Sequence, residues 1–300
     1  MRFPALSQPG TRQACFQETN SLFLRPGTLD EALAALAETR ATILSGGTDL
    51  FPALSFGPLR GAVLDISALN ELKGIRVTDG CIEIGARTTW SEIVSANLPR
   101  GFDGLKAAAR EIGAVQIQNQ ATLAGNICNA SPAADGIAAL MALAAEVTLV
   151  SNSAARTLPL GDFVLGNRKT ARQPDELLTS IRVPRRLENA ASIFLKLGAR
   201  RYLVISIVMV AANLVADSGG RIREALICVG SCSPKALRLA ELEQALVGQP
   251  LNGNISKLVG PEHLSPLTPI DDVRATAAYR MDAAETLVKR ALEVCAKKAF

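Results

Sequence analysis

Two segments rich in glycine and small polar residues limit the folds open to this chain more than any other feature of its sequence. Residues 45–50 follow an apolar run, and residues 116–135 form a longer stretch in the middle of the chain. Hydroxyl and amide groups in such segments are costly to bury unless another group shares hydrogen bonds with them. Elsewhere the chain is rich in apolar residues, which make up 48% of its 300 positions and exclude a disordered protein. This length is typical of two domains.

The metal-ligating residues are too few and too scattered to predict a metal site within this chain. His263 is the only histidine, in a stretch expected to be a loop, so a site with several histidine ligands is excluded. Of the six cysteines only Cys228 and Cys232 lie close together, and no Cys-x2-Cys pair is present. This spacing does not favour a zinc site or an iron–sulfur cluster. We expect the cysteines to be small buried residues in a reducing environment.

Charge and hydropathy predict neither a nucleic-acid partner nor a membrane span. The net charge of +4 is spread thinly over the whole chain. Residues 1–20 lack the apolar core of a signal peptide. The longest apolar run, residues 203–216, is shorter than the ~20 residues of a membrane helix, and we expect a buried strand there. The sequence therefore predicts a cytoplasmic protein.

The first part of the chain has the pattern of a strand, a helix, a second strand and a glycine turn. Residues 22–26 favour a short strand, and Thr28 and Glu31 have the spacing of a capping box at the start of a helix. The second strand is predicted over residues 41–45 and leads directly into the glycine turn. Another short strand is expected at residues 62–66.

The middle of the chain is predicted to contain a hairpin, several helices and further strands. Asp79-Gly80 is a typical two-residue hairpin turn, and it lies between two runs of alternating residues, 75–77 and 81–86. Residues 116–135 are expected to be irregular. The remaining elements are helices at residues 89–96, 102–112 and 136–145, and strands at residues 146–151 and 175–183.

A change in composition at Pro184-Arg185-Arg186 predicts a domain boundary. Beyond it the sequence favours three strands and then two helices, and the turn Asp217-Ser218-Gly219-Gly220 joins the last two strands. We expect a C-terminal sheet with helices packed on one face. The strands are predicted at residues 192–197, 204–215 and 222–229, and the helices at residues 240–247 and 280–296.

Each of the two small-residue segments has the chemistry of an anion site. A glycine turn between a strand and a helix exposes backbone N–H groups to a ligand, although a plain connecting turn is the alternative for residues 45–50. The absence of a following lysine and of G-x4-G spacing excludes a Walker loop. For residues 116–135 the alternative is a solvated loop. Two such segments together favour a ligand with two polar or anionic centres, such as a nucleotide with a pyrophosphate.

The order and spacing of several motifs resemble the FAD-binding medium subunits of molybdenum hydroxylases, the family of xanthine dehydrogenase and carbon monoxide dehydrogenase. The similarity extends from about Leu22 to near the C-terminus. The motifs that carry it are Leu24-Arg25-Pro26-Gly27-Thr28 with its helix, the glycine turn at residues 45–50, residues 122–135, Asp175-Glu176-Leu177-Leu178 followed by Ile181 and Pro184, and Lys196-Leu197-Gly198-Ala199-Arg200-Arg201.

The resemblance implies a fold and a division into domains. It implies an α+β protein with a PCMH-type (vanillyl-alcohol-oxidase-like) FAD-binding domain of two α/β subdomains, followed by a C-terminal domain of a sheet with helices. The FAD-binding domain is expected at residues 22–185 and the C-terminal domain at residues 186–300. Residues 1–21 are expected to be an N-terminal extension.

The resemblance also implies which residues bind FAD. Residues 43–50 would wrap the FAD pyrophosphate, chiefly through backbone N–H groups. Thr122, Gly125 and Asn126 would hold the other side of the phosphates and the ribityl chain. Asp135 would be a polar anchor, Leu178 would pack on FAD, and Lys196 would lie beside it, where a cation favours the reduced flavin. No catalytic residue and no metal ligand is expected. The full set is Ile43, Leu44, Ser45, Gly46, Gly47, Thr48, Asp49, Leu50, Ile112, Thr122, Leu123, Ala124, Gly125, Asn126, Cys128, Asp135, Leu178 and Lys196, with Ile127 close to the flavin.

Two positions depart from the family pattern, and one further segment concerns the reactivity of the flavin. Ala124 stands where the family usually has the first of two glycines, and Ile112 stands where an aromatic residue often packs on the cofactor. Arg200-Arg201-Tyr202 belongs to a segment that lies by the isoalloxazine in the family and influences reactivity with NAD or oxygen.

The function implied is that of an electron-transfer flavoprotein subunit. Electrons would pass from iron–sulfur clusters of one partner subunit through FAD to NAD or another acceptor, while a second partner subunit holds the molybdenum cofactor and hydroxylates the substrate. A hetero-oligomer built from paired trimers would be typical of the family. One alternative is a self-sufficient FAD-dependent oxidase or reductase, and another is a nucleotide-binding scaffold that no longer uses its cofactor.

Overall fold

The computed structural model describes residues 22–54, 57, 59–252 and 254–298. The extension expected at residues 1–21 lies outside this part. Within it the chain forms a three-stranded, a five-stranded and a four-stranded sheet, together with one small hairpin and surrounding helices. The α+β class expected from the sequence is confirmed.

The first subdomain is a parallel sheet with one long helix. Its elements are β1 (Phe23–Leu24), α1 (Leu29–Thr39), β2 (Thr42–Leu44), α2 (Leu50–Ala53) and β3 (Val63–Asp65). The strands pair in the order β1-β3-β2. Thr28 Oγ1 caps α1 by accepting a hydrogen bond from the Glu31 N–H at 3.3 Å, and the Glu31 carboxylate accepts one from the Gly27 N–H at 2.8 Å. The glycine turn follows β2 directly, as the sequence predicts.

The second subdomain is built around an antiparallel sheet. Its elements are β4 (Ile75–Val77), β5 (Cys81–Gly85), α3 (Trp90–Ser95), α4 (Asp103–Glu111), α5 (Val115–Gln120), α6 (Leu123–Asn129), α7 (Asp135–Met141), β6 (Glu146–Val150), β7 (Ala155–Pro159), α8 (Leu160–Phe163), β8 (Val164–Gly166), β9 (Lys169–Thr170) and β10 (Leu177–Pro184). The sheet order is β4-β5-β10-β6-β7, and β8 and β9 form a separate hairpin. The hairpin predicted around Asp79-Gly80 joins β4 to β5.

The prediction that residues 116–135 are irregular is wrong, because two short helices occupy most of this segment. Thr122 caps α6 through its hydroxyl, and α6 ends where Ala130 takes a left-handed conformation with a φ of 46°. Ala121, Ala124 and Ala130 are buried in the core of the subdomain. Their small side chains let the helices pack closely against neighbouring elements, a tertiary effect that no local pattern of the sequence reports.

The C-terminal part is a four-stranded antiparallel sheet between two layers of helices. Its elements are β11 (Ala191–Leu197), β12 (Val208–Ala216), β13 (Ile222–Gly230), β14 (Leu237–Arg238), α9 (Ala240–Leu246) and α10 (Ala277–Lys298), in sheet order β11-β12-β13-β14. Both α9 and α10 cover one face, as predicted. Helices α4 and α7 of the second subdomain cover the other face. Accordingly Met209 and Ala211 of β12 join the core around α4 and α7, while Val208 and Val210 join the core around α10.

Two smaller expectations need correction. Strand β12 begins at Val208 rather than at residue 204, and Leu203 and Ile205 are more than half exposed. His263 lies in a 3₁₀ turn, Pro261–Leu264, where its Nδ1 accepts a hydrogen bond from the Gly260 N–H. The other 3₁₀ turns are Asn70–Leu72, Arg100–Phe102, Arg185–Leu187 and Ile255–Leu258. No helix within the described ranges is long and apolar enough to cross a membrane.

Candidate cofactor site

A cavity of about 620 Å³ lies between the first and second subdomains, a volume typical of small-molecule sites. The glycine turn after β2 forms one wall, and helices α5 and α6 form the opposite wall. The start of β10 and the β8–β9 hairpin complete the lining. The predicted cofactor residues that line it are Ile43, Leu44, Ser45, Gly46, Gly47, Thr48, Asp49, Leu50, Ile112, Thr122, Ala124, Gly125, Asn126, Cys128 and Leu178.

The glycine turn offers a row of unused hydrogen-bond donors. In the part of the chain that the structure describes, the backbone N–H groups of Gly46, Gly47, Thr48 and Asp49 donate to no protein oxygen. Gly47 has a φ of 70°, which favours glycine. Successive N–H groups in such a turn form a concave anion site. The turn can therefore bind phosphate oxygens without any lysine.

Close packing fixes the position of the glycine turn against the opposite wall. A Cβ atom at Gly46 would collide with the carbonyl oxygen of Gln120, at the end of α5. The Ser45 and Thr122 hydroxyls are hydrogen-bonded to each other at 3.1 Å. Only glycine allows the two backbones to approach so closely. The two predicted segments therefore contact each other directly at the base of the cavity.

Residues 123–126 of the second segment use their backbone N–H groups within the protein. The amides of Leu123, Ala124 and Asn126 donate to backbone carbonyls, and that of Gly125 donates to the Thr122 hydroxyl at 3.2 Å. These four residues therefore offer a ligand no free backbone N–H donor. Asn126 Oδ1 is buried and has no hydrogen-bond partner among the described residues. This oxygen lies next to Gly136 and is not exposed at the cavity surface.

Cys128 gives the same wall an uncharged thiol. Burial raises the pKa of the Cys128 thiol to about 11, so this group stays protonated at neutral pH. With Ile112 and Leu178 it forms an uncharged part of the lining. The other described cysteines, Cys81, Cys228, Cys232 and Cys295, are buried free thiols, as expected.

Three side chains connect the solvent edge of the cavity. Asn129 Nδ2 donates to Asp49 Oδ2 at 2.8 Å, and Arg168 Nη1 donates to Asn129 Oδ1 at 2.6 Å. Arg168 Nη2 lies 4.0 Å from Asp49 Oδ1, and the two charged side chains are 61% and 60% exposed. We call these three residues the mouth bridge. They join the glycine turn, the end of α6 and the β8–β9 turn.

Leu123, Asp135 and Lys196 do not line this cavity, although the resemblance implies that they contact FAD. Leu123 is fully buried in the core. Asp135 Oδ2 accepts a hydrogen bond from Lys196 Nζ at 2.6 Å, and Asp135 Oδ1 accepts one from the Ser206 hydroxyl at 2.6 Å. Burial raises the pKa of Asp135, while the adjacent Lys196 ammonium opposes that shift. Their contact with the cofactor remains a prediction.

The Asp135–Lys196 pair lies close behind the cavity wall. Lys196 Nζ also donates to the carbonyl of Glu111 at 3.4 Å, next to Ile112 at the end of α4. On its other side Lys196 borders a second cavity of about 450 Å³ that Arg200 and Arg201 also line. The pair thus connects β11 of the C-terminal part with α4 and α7 of the second subdomain.

Several lining residues were not predicted from the sequence. Arg168 and Arg172 lie in a short polar stretch after α8, and nothing in their local pattern connects them with the glycine turn. Asn129 lies within the second segment and could have been included because of its amide. Trp90 also lines the cavity but is fully buried, as a core residue would be. The remaining lining residues are Arg40, Ala41, Thr42, Ile66, Ile117, Ala121, Thr170 and Leu177.

Comparison with known proteins gives two consecutive family matches. Residues 15–186 match the FAD binding domain in molybdopterin dehydrogenase, and residues 193–294 match the CO dehydrogenase flavoprotein C-terminal domain. The chain is 30% identical over 273 residues to the putative xanthine dehydrogenase FAD-binding subunit of Escherichia coli K12, covering 89% of this chain and 93% of that protein. It is 31% identical over 276 residues to the glyceraldehyde dehydrogenase medium chain of Sulfolobus acidocaldarius, covering 90% and 96%.

Solved structures agree with these matches. Carbon monoxide dehydrogenase from Hydrogenophaga pseudoflava superposes with a TM-score of 0.85 at 27% identity, over 92% of this chain and 97% of that one. A Cu,Mo-CO dehydrogenase superposes with a TM-score of 0.86 at 27% identity, over 93% and 99%.

The fold and the cavity define a protein that binds a phosphate-bearing cofactor between two subdomains. The unpaired amides of the glycine turn and the cavity volume fit FAD. The chain belongs to the family of FAD-binding medium subunits of molybdenum hydroxylases, of the xanthine and carbon monoxide dehydrogenase type. It is an oxidoreductase subunit, and its cofactor is FAD.

Proposed function

We propose that this chain transfers electrons from a partner subunit with iron–sulfur clusters to NAD or another acceptor. The observation that carries this proposal is a cavity suited to FAD in a chain that matches the medium subunits of dehydrogenases over most of its length. Bound FAD supplies the ability to accept electrons singly and to deliver them in pairs. A second partner subunit would hold the molybdenum cofactor and carry out the hydroxylation.

The residues of this chain would bind the cofactor and shield it from water. The glycine-turn amides would hold the phosphates, and Thr122 and Asn126 would contact the ribityl side. Ile112, Cys128 and Leu178 would provide the uncharged wall, which excludes water without placing a negative charge beside the flavin. Such an arrangement binds and orients the cofactor and leaves substrate chemistry to another chain.

Comparison with a larger relative supports this division of labour. In the xanthine dehydrogenase/oxidase of Gallus gallus the similar region is 277 residues at 28% identity, and it is 20% of that protein. We propose that the functions of the remaining part are supplied here by separate subunits, in a cytoplasmic hetero-oligomer. We also propose the domain boundary at residues 185 and 186, which is supported by the two family matches ending at residue 186 and beginning at residue 193.

The proposed roles of Asp135 and Lys196 are supported by their position. Lys196 contacts the carbonyl of Glu111 beside Ile112 and borders the second cavity with Arg200 and Arg201. We propose that this second cavity lies on the side from which the acceptor approaches. The Lys196 ammonium would then be a fixed cation close to the reduced flavin, although its pairing with Asp135 lowers its effect.

The test is to purify the chain alone and together with the subunits that copurify with it. We expect bound FAD in both preparations, and iron, molybdenum and substrate turnover only in the complex. Turnover by the isolated chain would favour a self-sufficient oxidase or reductase. A chain that binds no FAD, even in the complex, would contradict the proposal and favour a scaffold.

A further inference from the structure

The charged side chains that line the FAD cavity are unevenly placed. Among the described residues they are Arg40, Asp49, Arg168 and Arg172. Arg40 precedes β2, whereas the glycine turn follows it, so a strand of ~10 Å separates Arg40 from the turn. Arg172 Nη1 donates to the carbonyls of Gln173, Pro174 and Glu176 and is held by the backbone. Arg168 is therefore the lining arginine whose guanidinium is joined to the glycine turn, through Asn129 and Asp49.

Asp49 presents an electrostatic problem at this turn. Its carboxylate belongs to the same segment as the unpaired amides, and its negative charge would repel the phosphates that those amides are proposed to hold. The mouth bridge reduces this repulsion. Asn129 donates to one Asp49 oxygen at 2.8 Å, and the Arg168 guanidinium lies 4.0 Å from the other. The bridge thus keeps the carboxylate occupied and balances its charge.

Arg168 has donors left for a ligand. A guanidinium carries five N–H groups, and the one described hydrogen bond of this side chain uses Nη1. The backbone of Arg168 is also fixed, because its N–H donates to the Ala130 carbonyl at 2.9 Å and its φ is 54°. A left-handed conformation at a residue other than glycine persists only where its surroundings hold it. Arg168 is therefore held at the cavity edge with unused donors.

We propose that Arg168 binds the diphosphate of FAD and that Asn129 and Asp49 position its guanidinium for this contact. A planar guanidinium suits phosphate oxygens because it donates two parallel hydrogen bonds. The proposal assigns the phosphates two kinds of partner, neutral amides from the glycine turn and one cation from the β8–β9 turn. It concerns the binding of the cofactor and does not depend on which acceptor the flavin reduces.

The experiment is an FAD titration of the full-length apoprotein, followed by flavin fluorescence, with Arg168→Gln, Asp49→Asn and the double variant. We expect Arg168→Gln to raise the Kd for FAD about tenfold at low salt, equivalent to ~1.4 kcal/mol. Higher ionic strength should reduce this difference, because the contact is partly exposed. Asp49→Asn alone removes the charge of a positioning residue while its carboxamide can still accept from Asn129, so its own change in Kd is the reference with which the double variant is compared.

The double variant decides between direct contact and simple charge balance. If Arg168 contacts the diphosphate, adding Asp49→Asn to Arg168→Gln restores only part of the lost affinity. Full recovery in the double variant would overturn the proposal, because Arg168 would then only neutralise Asp49. An unchanged Kd in Arg168→Gln would also overturn it.

Arg76→Gln is the matched control. Arg76 is paired with Glu83 at 2.8 Å, and its side chain is 65% exposed, close to the value for Arg168, but it lies outside the cavity. We expect this variant to bind FAD as the wild-type protein does. Melting temperatures of the apoproteins, measured without FAD, should be alike for all variants and show that each one folds.

Discussion

The two segments that line the FAD cavity use their backbone amides in opposite ways. In the glycine turn, the N–H groups of residues 46–49 donate to no oxygen of the described chain. In the second segment, the N–H groups of residues 123–126 all donate within the protein. The first segment is therefore suited to bind anions with its backbone. The second is a capped helix that brings side chains to the cavity and holds the first segment in place.

This difference teaches that similar compositions can serve different purposes. Both segments are rich in small residues, but at Gly46 the absence of a side chain brings two backbones together, whereas Ala124 and Ala130 pack a helix into the core. The substitution of Ala for the usual glycine at position 124 is compatible with this role, because the Ala124 amide already donates to the carbonyl of Ala86.

The largest effect should follow from Gly46→Ala. The new methyl group would collide with the Gln120 carbonyl, and overpacking of this kind costs ~1–3 kcal/mol. We expect the glycine turn to be displaced, with lower thermal stability and a loss of most bound FAD from the purified protein. Gly80→Ala is the control, because a Cβ atom at Gly80 would meet nothing within 4 Å. Normal FAD content in Gly46→Ala would show that the close approach of the segments is unnecessary.

A smaller effect is expected at Thr122, which lies in the second segment and contacts the glycine turn. Its hydroxyl accepts from the Gly125 N–H and is hydrogen-bonded to Ser45. Thr122→Ala should lower the free energy of unfolding by ~1 kcal/mol through loss of the helix cap and should also weaken FAD binding several-fold. Chemical denaturation and an FAD titration would measure the two effects.

Thr28→Ala distinguishes the loss of stability from the loss of FAD affinity. Thr28 caps α1 in the same manner, but it does not line the cavity. We expect a similar loss of stability with unchanged FAD affinity, while Thr122→Ser should retain both properties. If Thr28→Ala weakened FAD binding as much as Thr122→Ala, the effect at Thr122 would be one of general stability and not of contact between the segments.

The sequence predicted the parts of the fold that depend on local pattern. The strand before the glycine turn, the hairpin at Asp79-Gly80 and the two C-terminal helices are all marked by periodicity or turn residues, and the structure confirms them. Helices α5 and α6 were not predicted, because they are only six and seven residues long, and helices of this length are marginal without support from the rest of the fold. The resemblance to a known family supplied the cofactor, which local pattern could restrict only to a nucleotide.

Contacts between polar residues that lie far apart in the chain could not be predicted from a single sequence. Asn129 is 80 residues from Asp49 and 39 from Arg168, and Asp135 is 61 residues from Lys196. Nothing in the local surroundings of these residues indicates their partners. Family resemblance implied that Asp135 and Lys196 both contact FAD, whereas the structure adds that they bind each other.

The smallest effect is expected at Glu176, next to β10. The start of this strand lines the cavity and belongs to neither segment. Glu176 precedes β10, and Arg156 Nε and Nη2 donate to its carboxylate at 2.6 and 2.9 Å. This contact and the Gln173 N–H hold the pKa of Glu176 below its ordinary value of 4.5. A lowered carboxyl pKa stabilises the folded state fully above the unfolded pKa, and that stabilisation is lost as the pH falls through the folded pKa. Glu176→Gln should therefore lower the free energy of unfolding by ~0.5 kcal/mol at pH 7.

Unfolding measurements between pH 3 and pH 7 would test this prediction. We expect the difference between the wild-type protein and Glu176→Gln to be constant near neutrality and to shrink below about pH 4.5, because protonation removes the same charge that the substitution removes. FAD affinity at pH 7 should change by less than about twofold, since Glu176 does not line the cavity. Glu83→Gln, whose partner Arg76 is mostly exposed, should change stability less. A large loss of FAD binding in Glu176→Gln would instead make β10 a third element that positions the cofactor.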